Sequence, residues 1–249
     1  MSGFGRQSQT DEAASGYEGF MFEHVTPLQR FSRFILLLAI FAALYSAWNL
    51  RWICDDAFIS FRYAENFAQG NGLVFNVGEA VEGYTNFLWT LVLGLLSLLG
   101  WEMEIASVLL GVMSWAVALV GLALRPDGTI RLCAPLMAAC CLHLRIFATS
   151  GLETMAFFAA IVWLINGVLA GSPRRVAALG VLAALIRPEG ALFALVGALS
   201  LRIDSEDYGS TVKALFWLFV GVLPWLIWKL WFYGDVLPNT FYAKASVDF

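Results

Sequence analysis

The chain is organised around residues 55–64, which read Asp55-Asp56-Ala57-Phe58-Ile59-Ser60-Phe61-Arg62-Tyr63-Ala64. This stretch follows the first long apolar segment and opens a polar loop that continues to Asn86. Charged side chains beside a lipid bilayer are costly and usually have a function. We therefore interpret the rest of the chain as a scaffold that holds this loop at a membrane surface.

The composition is that of a membrane protein. Of the 249 residues, 60% are hydrophobic and 14% are charged, whereas soluble domains contain about 25% charged residues. The apolar residues form long runs, and a helix needs about 20 residues to cross a hydrocarbon core. These runs lack the polar face that a soluble helical bundle shows. The sequence predicts an all-α, polytopic transmembrane bundle with a helical first external loop.

Several classes of function are disfavoured. The net charge of −4 provides no basic footprint for nucleic acid, so we expect no nucleic-acid partner. The four cysteines show no metal-ligand spacing and form no disulfide framework. There is no Asp-x-Asp motif near Asp55. We therefore expect neither an essential metal nor a cofactor.

Charge distribution predicts the domain organisation. Residues 1–30 are polar and are predicted to form a mobile cytoplasmic tail, because Arg30 and Arg33 precede the first apolar segment. Residues 31–249 form the predicted transmembrane module. Within it, residues 51–86 are the predicted external loop, and this loop is rich in acids. No cleavage pattern follows the first segment, which is expected to remain as an anchor.

The apolar runs leave two questions open. The predicted segments are 34–50, 87–99, 105–124, 132–147, 155–170 and 214–232, and a run at 176–201 is interrupted by Arg187-Pro188-Glu189-Gly190. That interrupted run is either one helix kinked at Pro188 or two half-helices. If every segment crosses, the turn with Arg125 and Arg131 falls outside, against the positive-inside rule. We expect one short segment to be re-entrant and leave open which one.

The adjacent acids Asp55 and Asp56 are the predicted catalytic residues. The alternative is that they cap the following helix, for which one acid would be enough. Two neighbouring carboxylates at a lipid–water boundary repel each other, so we expect one of them to have a raised pKa. A raised pKa is a property that a general base or a metal ligand needs.

Arg187 is the second candidate site residue, as a group that binds phosphate. Its guanidinium has the geometry to hold a phosphate, and the alternative is an arginine that reaches the interface from a helix end. Lys244 is interpreted as a second phosphate partner or, alternatively, as an ordinary flanking lysine. Glu153 either lines the site or is an acid at a helix start.

The ordered motifs resemble those of the GT-C membrane glycosyltransferases. The resemblance is closest to the terminal β-(1→2)-arabinofuranosyltransferases and their bacterial relatives. It covers most of the chain after residue 30, and because members of that family continue further, the chain is similar to their N-terminal portion. The matching stretches are 55–64, Gly72–Asn76, Val81–Trp89, Ser150–Thr154, Arg187–Gly190 and Asp235–Lys244.

The resemblance implies a polyprenyl-phosphate sugar as donor and an inverting transfer. Asp55 or Asp56 would deprotonate the acceptor hydroxyl, and Arg187 would stabilise the lipid phosphate that leaves. The residues implied or predicted to bind substrate are Arg62, Glu82, Tyr84, Asn86, Glu153, Arg187, Glu189, Asn239 and Lys244.

The predicted function is transfer of a sugar, with arabinofuranose as the expected one, to a cell-envelope glycan outside the bacterial cytoplasmic membrane. The expected partners are the bilayer, the lipid-linked sugar and the glycan acceptor. Two alternatives stay open. One is a lipid-sugar transporter or flippase, which predicts inverted repeats that the sequence does not show. The other is a truncated, non-catalytic membrane scaffold.

Overall fold

The computed structural model describes residues 27–126, 128–205 and 208–239. Within these residues the secondary structure is helical, with one isolated β-bridge between Leu124 and Ile130. This confirms the predicted all-α class. The helices are α1 Pro27–Asn49, α2 Ala57–Ala68, α3 Phe87–Leu98, α4 Met103–Ala123, α5 Cys133–Cys140, α6 Leu142–Phe147, α7 Thr154–Leu169, α8 Pro173–Ile186, α9 Gly190–Ser205 and α10 Tyr208–Tyr233.

Three of the described helices are long and apolar enough to cross a membrane: most of α1, α4 and α10. Large apolar side chains on the outer helices face away from the protein. Phe41 on α1 is 68% exposed and Trp231 on α10 is 80% exposed. Such exposure is expected for a surface that meets lipid. The described residues therefore form a helical membrane bundle.

The predicted segment 132–147 is divided into α5 and α6 at Cys141, whose backbone is extended. A break of this kind frees backbone carbonyls. Arg145 reaches back to one of them, with 3.4 Å from its Nη2 to the oxygen of Cys140. Its Nη1 also donates to Ser46 Oγ on α1 at 2.9 Å. One arginine thus fixes the broken segment to the first helix.

The interrupted run forms two helices, α8 and α9, so the alternative of a single kinked helix is wrong. A Cβ added to Gly180 would lie 2.7 Å from the Cβ of Ala194, and Val176 and Ala198 share a core cluster. These pairs are centred on residue 187, so the helices are antiparallel. Arg187 has an extended backbone, as expected before proline. The segment 187–189 is therefore the tip of a helical hairpin.

Helices α4 and α7 run parallel to each other. The Trp163 indole donates to the carbonyl of Val117 at 3.1 Å, and Asn166 donates to the carbonyl of Gly121 at 2.7 Å. Earlier in α4, a Cβ added to Gly111 would meet the carbonyl oxygen of Ala148, which precedes α7. The two helices therefore begin at the same end of the bundle. The end of α1 is there too, because Trp52 and the first turns of α4 line one small cavity.

Helix α3 does not cross the bundle. It has 12 residues and a length of about 18 Å, and it packs along α2, where Gly94 contacts Phe67. Leu96, near its end, belongs to the same hydrophobic cluster as Ala57 and Met103, the first residues of α2 and α4. These contacts place both ends of α3 at the same end of the bundle, so among the described segments α3 is the one that fits the expected re-entrant segment.

With both ends of α3 at one end of the bundle, the loop and the arginine-rich turns lie at opposite ends of the bundle. The end that holds the loop 50–86 also holds the tip 187–189 and the end of α10, and we call it the loop end. The opposite end holds the turn with Arg125 and Arg131 and the turn with Arg174 and Arg175, and we call it the basic end. Arg125 and Arg175 line one cavity of about 400 Å³ there. The conflict with the positive-inside rule disappears.

Candidate active site

Helix α2 confirms the prediction of a short helix after Asp55, and its polar side chains hold the loop that follows. Asn66 donates to the carbonyls of Val74 and Phe75 at 2.8 and 2.9 Å. The Arg62 Nε donates to the Phe75 carbonyl at 3.3 Å. The Tyr63 hydroxyl donates to the Val81 carbonyl at 2.8 Å and accepts from a backbone N–H at 2.7 Å. The loop is thus fixed to α2 by side chains that contact its backbone.

A buried ion pair connects the loop to α10. The Lys229 Nζ lies 2.6 Å from Glu82 Oε2, and the two residues are 3% and 6% exposed. Burial raises the pKa of Glu82 and Lys229 partly offsets that effect. The backbone N–H of Asn239 donates to the carbonyl of Glu82 at 2.9 Å, which fixes the chain after α10 to the same point.

Lys229 is not among the predicted site residues, although its position in the sequence indicates a buried ion pair. Lys229 is the one charged residue in the predicted segment 214–232. A charge within an apolar segment usually faces the protein interior and has a partner. That rule, applied to α10, indicates a buried acid opposite, and the acid-rich loop supplies it as Glu82.

Tyr84 is buried against the end of α10. Its hydroxyl lies 3.1 Å from that of Tyr233, and the Tyr233 hydroxyl donates to the carbonyl of Leu73 at 2.6 Å. The ring of Tyr84 also packs edge-on against Tyr63, with 4.7 Å between the ring centroids. Tyr233 at the end of α10 therefore holds the loop at two points, Leu73 and Tyr84.

Asn86 is the centre of a buried network between three elements. Its Nδ2 donates to Ser60 Oγ on α2 at 3.0 Å and to Glu153 Oε2 before α7 at 2.8 Å. Its Oδ1 accepts from Thr90 on α3 at 2.9 Å. Ser60, Asn86, Thr90 and Glu153 are each less than 9% exposed. Buried polar groups of this kind have to be satisfied, so the network fixes the relative positions of these elements.

The network continues to the hairpin tip. The Arg187 Nη1 donates to Glu153 Oε1 at 3.2 Å, and its Nη2 donates to Glu189 Oε1 at 3.3 Å. The guanidinium also lies 5.7 Å from the ring centroid of Phe157. The Arg187 side chain is 36% exposed, and a guanidinium has five N–H donors, so it has donors left for a ligand. Arg187 is therefore oriented by the protein and open on one side.

Asp55 and Asp56 lie at the start of α2 and are exposed. Asp56 occupies the N-cap position, but its side chain makes no capping hydrogen bond. The alternative that these acids favour the helix N-terminus through their charge needs no such bond and stays open. Its backbone angles are helical, and Ser60, four residues later, is on the same face. Asp56 thus lies one helical turn before Ser60, which is the first residue of the network that leads to Arg187.

Close backbone packing joins the start of α2 to the start of α7. The Cys54 N–H donates to the carbonyl of Ser150 at 2.9 Å. Gly151 has a φ of +81°, and a Cβ there would lie 2.9 Å from that of Ala57. The Trp89 indole donates to the carbonyl of Gly151 at 3.1 Å. The Ser150–Thr154 motif therefore serves to bring Glu153 beside the loop.

An apolar cavity of about 500 Å³ lies between α3, α4, α7 and α8. Its wall includes Trp89 and Ile186, which directly precedes Arg187, and it extends to Trp163 towards the basic end. Ser114 is the polar exception among residues that are otherwise apolar. Met113 and Val117 in its wall are 64% and 49% exposed, so the cavity is an open groove along the side of the bundle that ends one residue before Arg187.

The structure brings most of the predicted site residues to the loop end. One group surrounds Arg187, a second group holds the loop, and the substrate contacts of both groups remain predictions. The predicted residue Lys244 lies outside the described residues. The group around Arg187 is Asn86, Glu153, Arg187 and Glu189, and the group at the loop is Arg62, Glu82, Tyr84 and Asn239.

The fold and the site define a class: a polytopic helical membrane protein with acids and an arginine collected at one end. Sequence comparison shows which proteins the chain is similar to. The chain is homologous to the terminal beta-(1->2)-arabinofuranosyltransferases, which confirms the resemblance found in its motifs. It is 33% identical to that of Mycobacterium tuberculosis, over 81% of this chain and 36% of the relative. It is 26% identical to that of Corynebacterium glutamicum, over 83% and 35%.

The chain therefore spans about a third of the length of the curated relatives that it matches. No family model matches the chain. No solved structure matches it either.

Proposed function

We propose that the chain is part of an inverting glycosyltransferase that takes a sugar from a polyprenyl-phosphate donor. The carrying observation is the buried network that connects the start of α2 to the hairpin tip. It brings Asp55 and Asp56, exposed carboxylates that no side chain of the described residues pairs with, to the same end as Arg187, a guanidinium with free donors. An inverting transfer needs a base on one side of the sugar and a phosphate holder on the other.

The proposed reaction is a single in-line displacement. The carboxylate of Asp55 or Asp56 takes the proton of an acceptor hydroxyl, and the oxygen of that hydroxyl forms a bond to the anomeric carbon. The bond between this carbon and the phosphate oxygen breaks, and the polyprenyl phosphate leaves with the electron pair. Arg187 stabilises the charge that develops on the phosphate, which is an electrostatic contribution.

The apolar cavity supports a lipid-linked donor. It ends at Ile186, directly beside Arg187, and its walls are apolar over their length. A polyprenyl chain bound there would bring its phosphate to the end of the cavity that Ile186 lines, one residue before Arg187. Burial of apolar surface would provide much of the donor's affinity.

The charge distribution supports an orientation with the loop end outside. The turns at the basic end contain Arg125, Arg131, Arg174 and Arg175, and lysine and arginine favour the cytoplasmic side. The donor, the base and the acceptor would then meet at the outer surface of a bacterial cytoplasmic membrane. We propose arabinofuranose as the sugar, because both relatives are named for its transfer.

The proposal is tested with Asp55→Asn and Asp56→Asn, each assayed in membranes for transfer from a polyprenyl-phosphate arabinofuranose. Loss of the base should lower kcat by a factor of about 10² to 10⁴ in one of the two variants. Glu65→Gln on the exposed side of α2 is the matched control and should transfer at the wild-type rate. Full activity in both aspartate variants would contradict the assignment of the base.

A further inference from the structure

A second cavity lies beside the loop, and its lining shares no residue with the apolar cavity or with the network around Arg187. It has a volume of about 430 Å³, within the range of pockets for small ligands. We call it the loop cavity. Its principal lining residues are Ile59, Tyr63, Phe75, Asn76, Glu79 and Asn239.

We propose that the loop cavity binds a neutral sugar unit of the glycan acceptor. This proposal rests on the proposed function for its assignment to the acceptor, but the binding of a neutral glycan can be tested separately. Its lining, its charge and its position relative to Asp56 each support it.

The lining combines an apolar side with a polar side. Phe75 is 43% exposed and Ile59 is 39% exposed, and the Phe75 ring lies 5.9 Å from that of Tyr63. Asn76 donates to one carboxylate oxygen of Glu79 at 3.0 Å. Within the described part of the chain, no protein group engages Asn76 Oδ1. A sugar ring has C–H faces that pack on aromatic rings and hydroxyls that bind amides and carboxylates.

The negative charge in the loop cavity disfavours binding of the donor's phosphate there. Among the described residues that line it there is one carboxylate, Glu79, and no lysine or arginine. A phosphate would be repelled there, whereas a neutral polyol would not. The two cavities of the loop end thus differ in chemistry: one is apolar and ends at Arg187, and the other is polar, acidic and aromatic.

The register of α2 places the proposed base between these two environments. Ile59 and Tyr63 follow Asp56 by three and seven residues and line the loop cavity. Ser60 follows Asp56 by four residues and belongs to the network that leads to Arg187. Residues at these spacings share one side of a helix. Asp56 is therefore at the head of the helix face that separates the two sites, where an acceptor hydroxyl would meet the donor.

Side-chain changes at the cavity leave the loop backbone in place. The carbonyl of Phe75 is held by Asn66 and Arg62, and neither bond involves the phenyl ring. Phe75→Ala and Asn76→Ala should therefore remove ligand contacts without releasing the loop. Val77, which is 63% exposed on the same turn and outside the cavity lining, provides the matched control Val77→Ala.

The test uses the full 249-residue chain in detergent micelles, titrated with an arabinofuranose oligosaccharide, with binding followed by saturation-transfer NMR and calorimetry. Phe75→Ala and Asn76→Ala should each weaken oligosaccharide binding by about tenfold. Val77→Ala should bind as the wild type does, and all three variants should bind polyprenyl phosphate normally. In transfer assays the two cavity variants should raise the KM for the acceptor and leave the KM for the donor unchanged.

Two failures are distinguishable. If the wild type does not bind the oligosaccharide, or if both cavity variants bind it as tightly as the wild type, the loop cavity is not an acceptor site, whatever happens to transfer. If the cavity variants lose the oligosaccharide but Asp55→Asn and Asp56→Asn both keep full transfer activity, the cavity assignment stands and the proposed mechanism fails.

Discussion

Arg187 is shared between two carboxylates, and this sharing sets a condition on donor binding. Glu153 is nearly buried, with a side chain 9% exposed, whereas that of Glu189 is 58% exposed. Exposed ion pairs contribute little to stability and are easily replaced. A donor phosphate would therefore displace Glu189 and leave the contact with Glu153 intact. On this basis Glu153 would orient the Arg187 guanidinium. Glu189 would occupy the position that the donor phosphate takes when it binds.

Glu189→Gln is therefore expected to lower the KM for the polyprenyl-phosphate donor by about three- to tenfold, because a competing negative charge is removed. Steady-state transfer kinetics with varied donor measure this effect. Glu153→Gln is the informative comparison, since loss of the buried partner should lower kcat through misorientation of Arg187. A higher donor KM in Glu189→Gln would show that Glu189 itself helps to bind the donor.

The buried pair of Glu82 and Lys229 gives a prediction on stability. Lys229→Met leaves the Glu82 carboxylate buried without its partner, and removal of one member of such a pair costs about 3–5 kcal/mol. The expected result is a clear fall in the Tm of the protein in detergent. Lys213→Met, at an exposed position on the same helix, is the control and should leave the Tm unchanged.

The double variant Glu82→Gln, Lys229→Met separates charge from packing. Because neither remaining side chain is charged, the double variant should recover part of the stability that Lys229→Met loses. If Lys229→Met is as stable as the wild type, the ion pair does not hold the loop to α10.

At the scale of elements, the sequence predicts well those helix positions that depend on neighbouring residues in the chain. Helix α2 lies within the loop that was predicted to be helical, and it ends before Gly70-Asn71-Gly72, residues that break helices. The hairpin stayed ambiguous, because Pro188 is compatible with a kink and with a turn. What decides between them is the contact of α8 with α9, such as that of Gly180 with Ala194, and no local pattern reports such a contact.

The hairpin tip depends on a glycine at the start of α9. A Cβ added to Gly190 would lie 2.2 Å from the backbone of Ala183, so Gly190→Ala has to separate α8 from α9. Because Arg187 lies between these contacts, we expect a lower Tm and at least a tenfold fall in transfer activity. Thermal unfolding and the transfer assay measure the two effects.

Gly197→Ala on the same helix is the control for this substitution. The added methyl there would meet the end of the Leu164 side chain, which can move. It should therefore change both quantities much less than Gly190→Ala does. Equal effects of the two substitutions would contradict a special role for the packing at the tip.

At the scale of the whole molecule, the sequence supplied the members of the site but not its connections. The contacting pairs of the network are far apart along the chain, and their contacts follow from helix packing. Ser60 and Asn86 are 26 residues apart, Asn86 and Glu153 are 67 apart, and Glu153 and Arg187 are 34 apart. The same limit applies to topology. Helix α3 is as apolar as a spanning segment, and only its contacts with α2 and the start of α4 place both of its ends at the same end of the bundle.

The position of α3 gives a prediction that labelling can test. If α3 turns back, positions 77 and 126 lie on opposite sides of the membrane; if it crosses, they lie on the same side. Val77→Cys and Pro126→Cys, both at exposed positions, are introduced singly into a chain whose four native cysteines are changed to alanine. Intact cells are treated with a membrane-impermeant maleimide. We expect labelling at position 77 in intact cells and at position 126 only after permeabilisation, because arginine-rich turns stay in the cytoplasm. Labelling of both positions in intact cells would place α3 across the membrane, whereas labelling of position 126 alone would place Asp56 on the cytoplasmic side and contradict the proposed orientation.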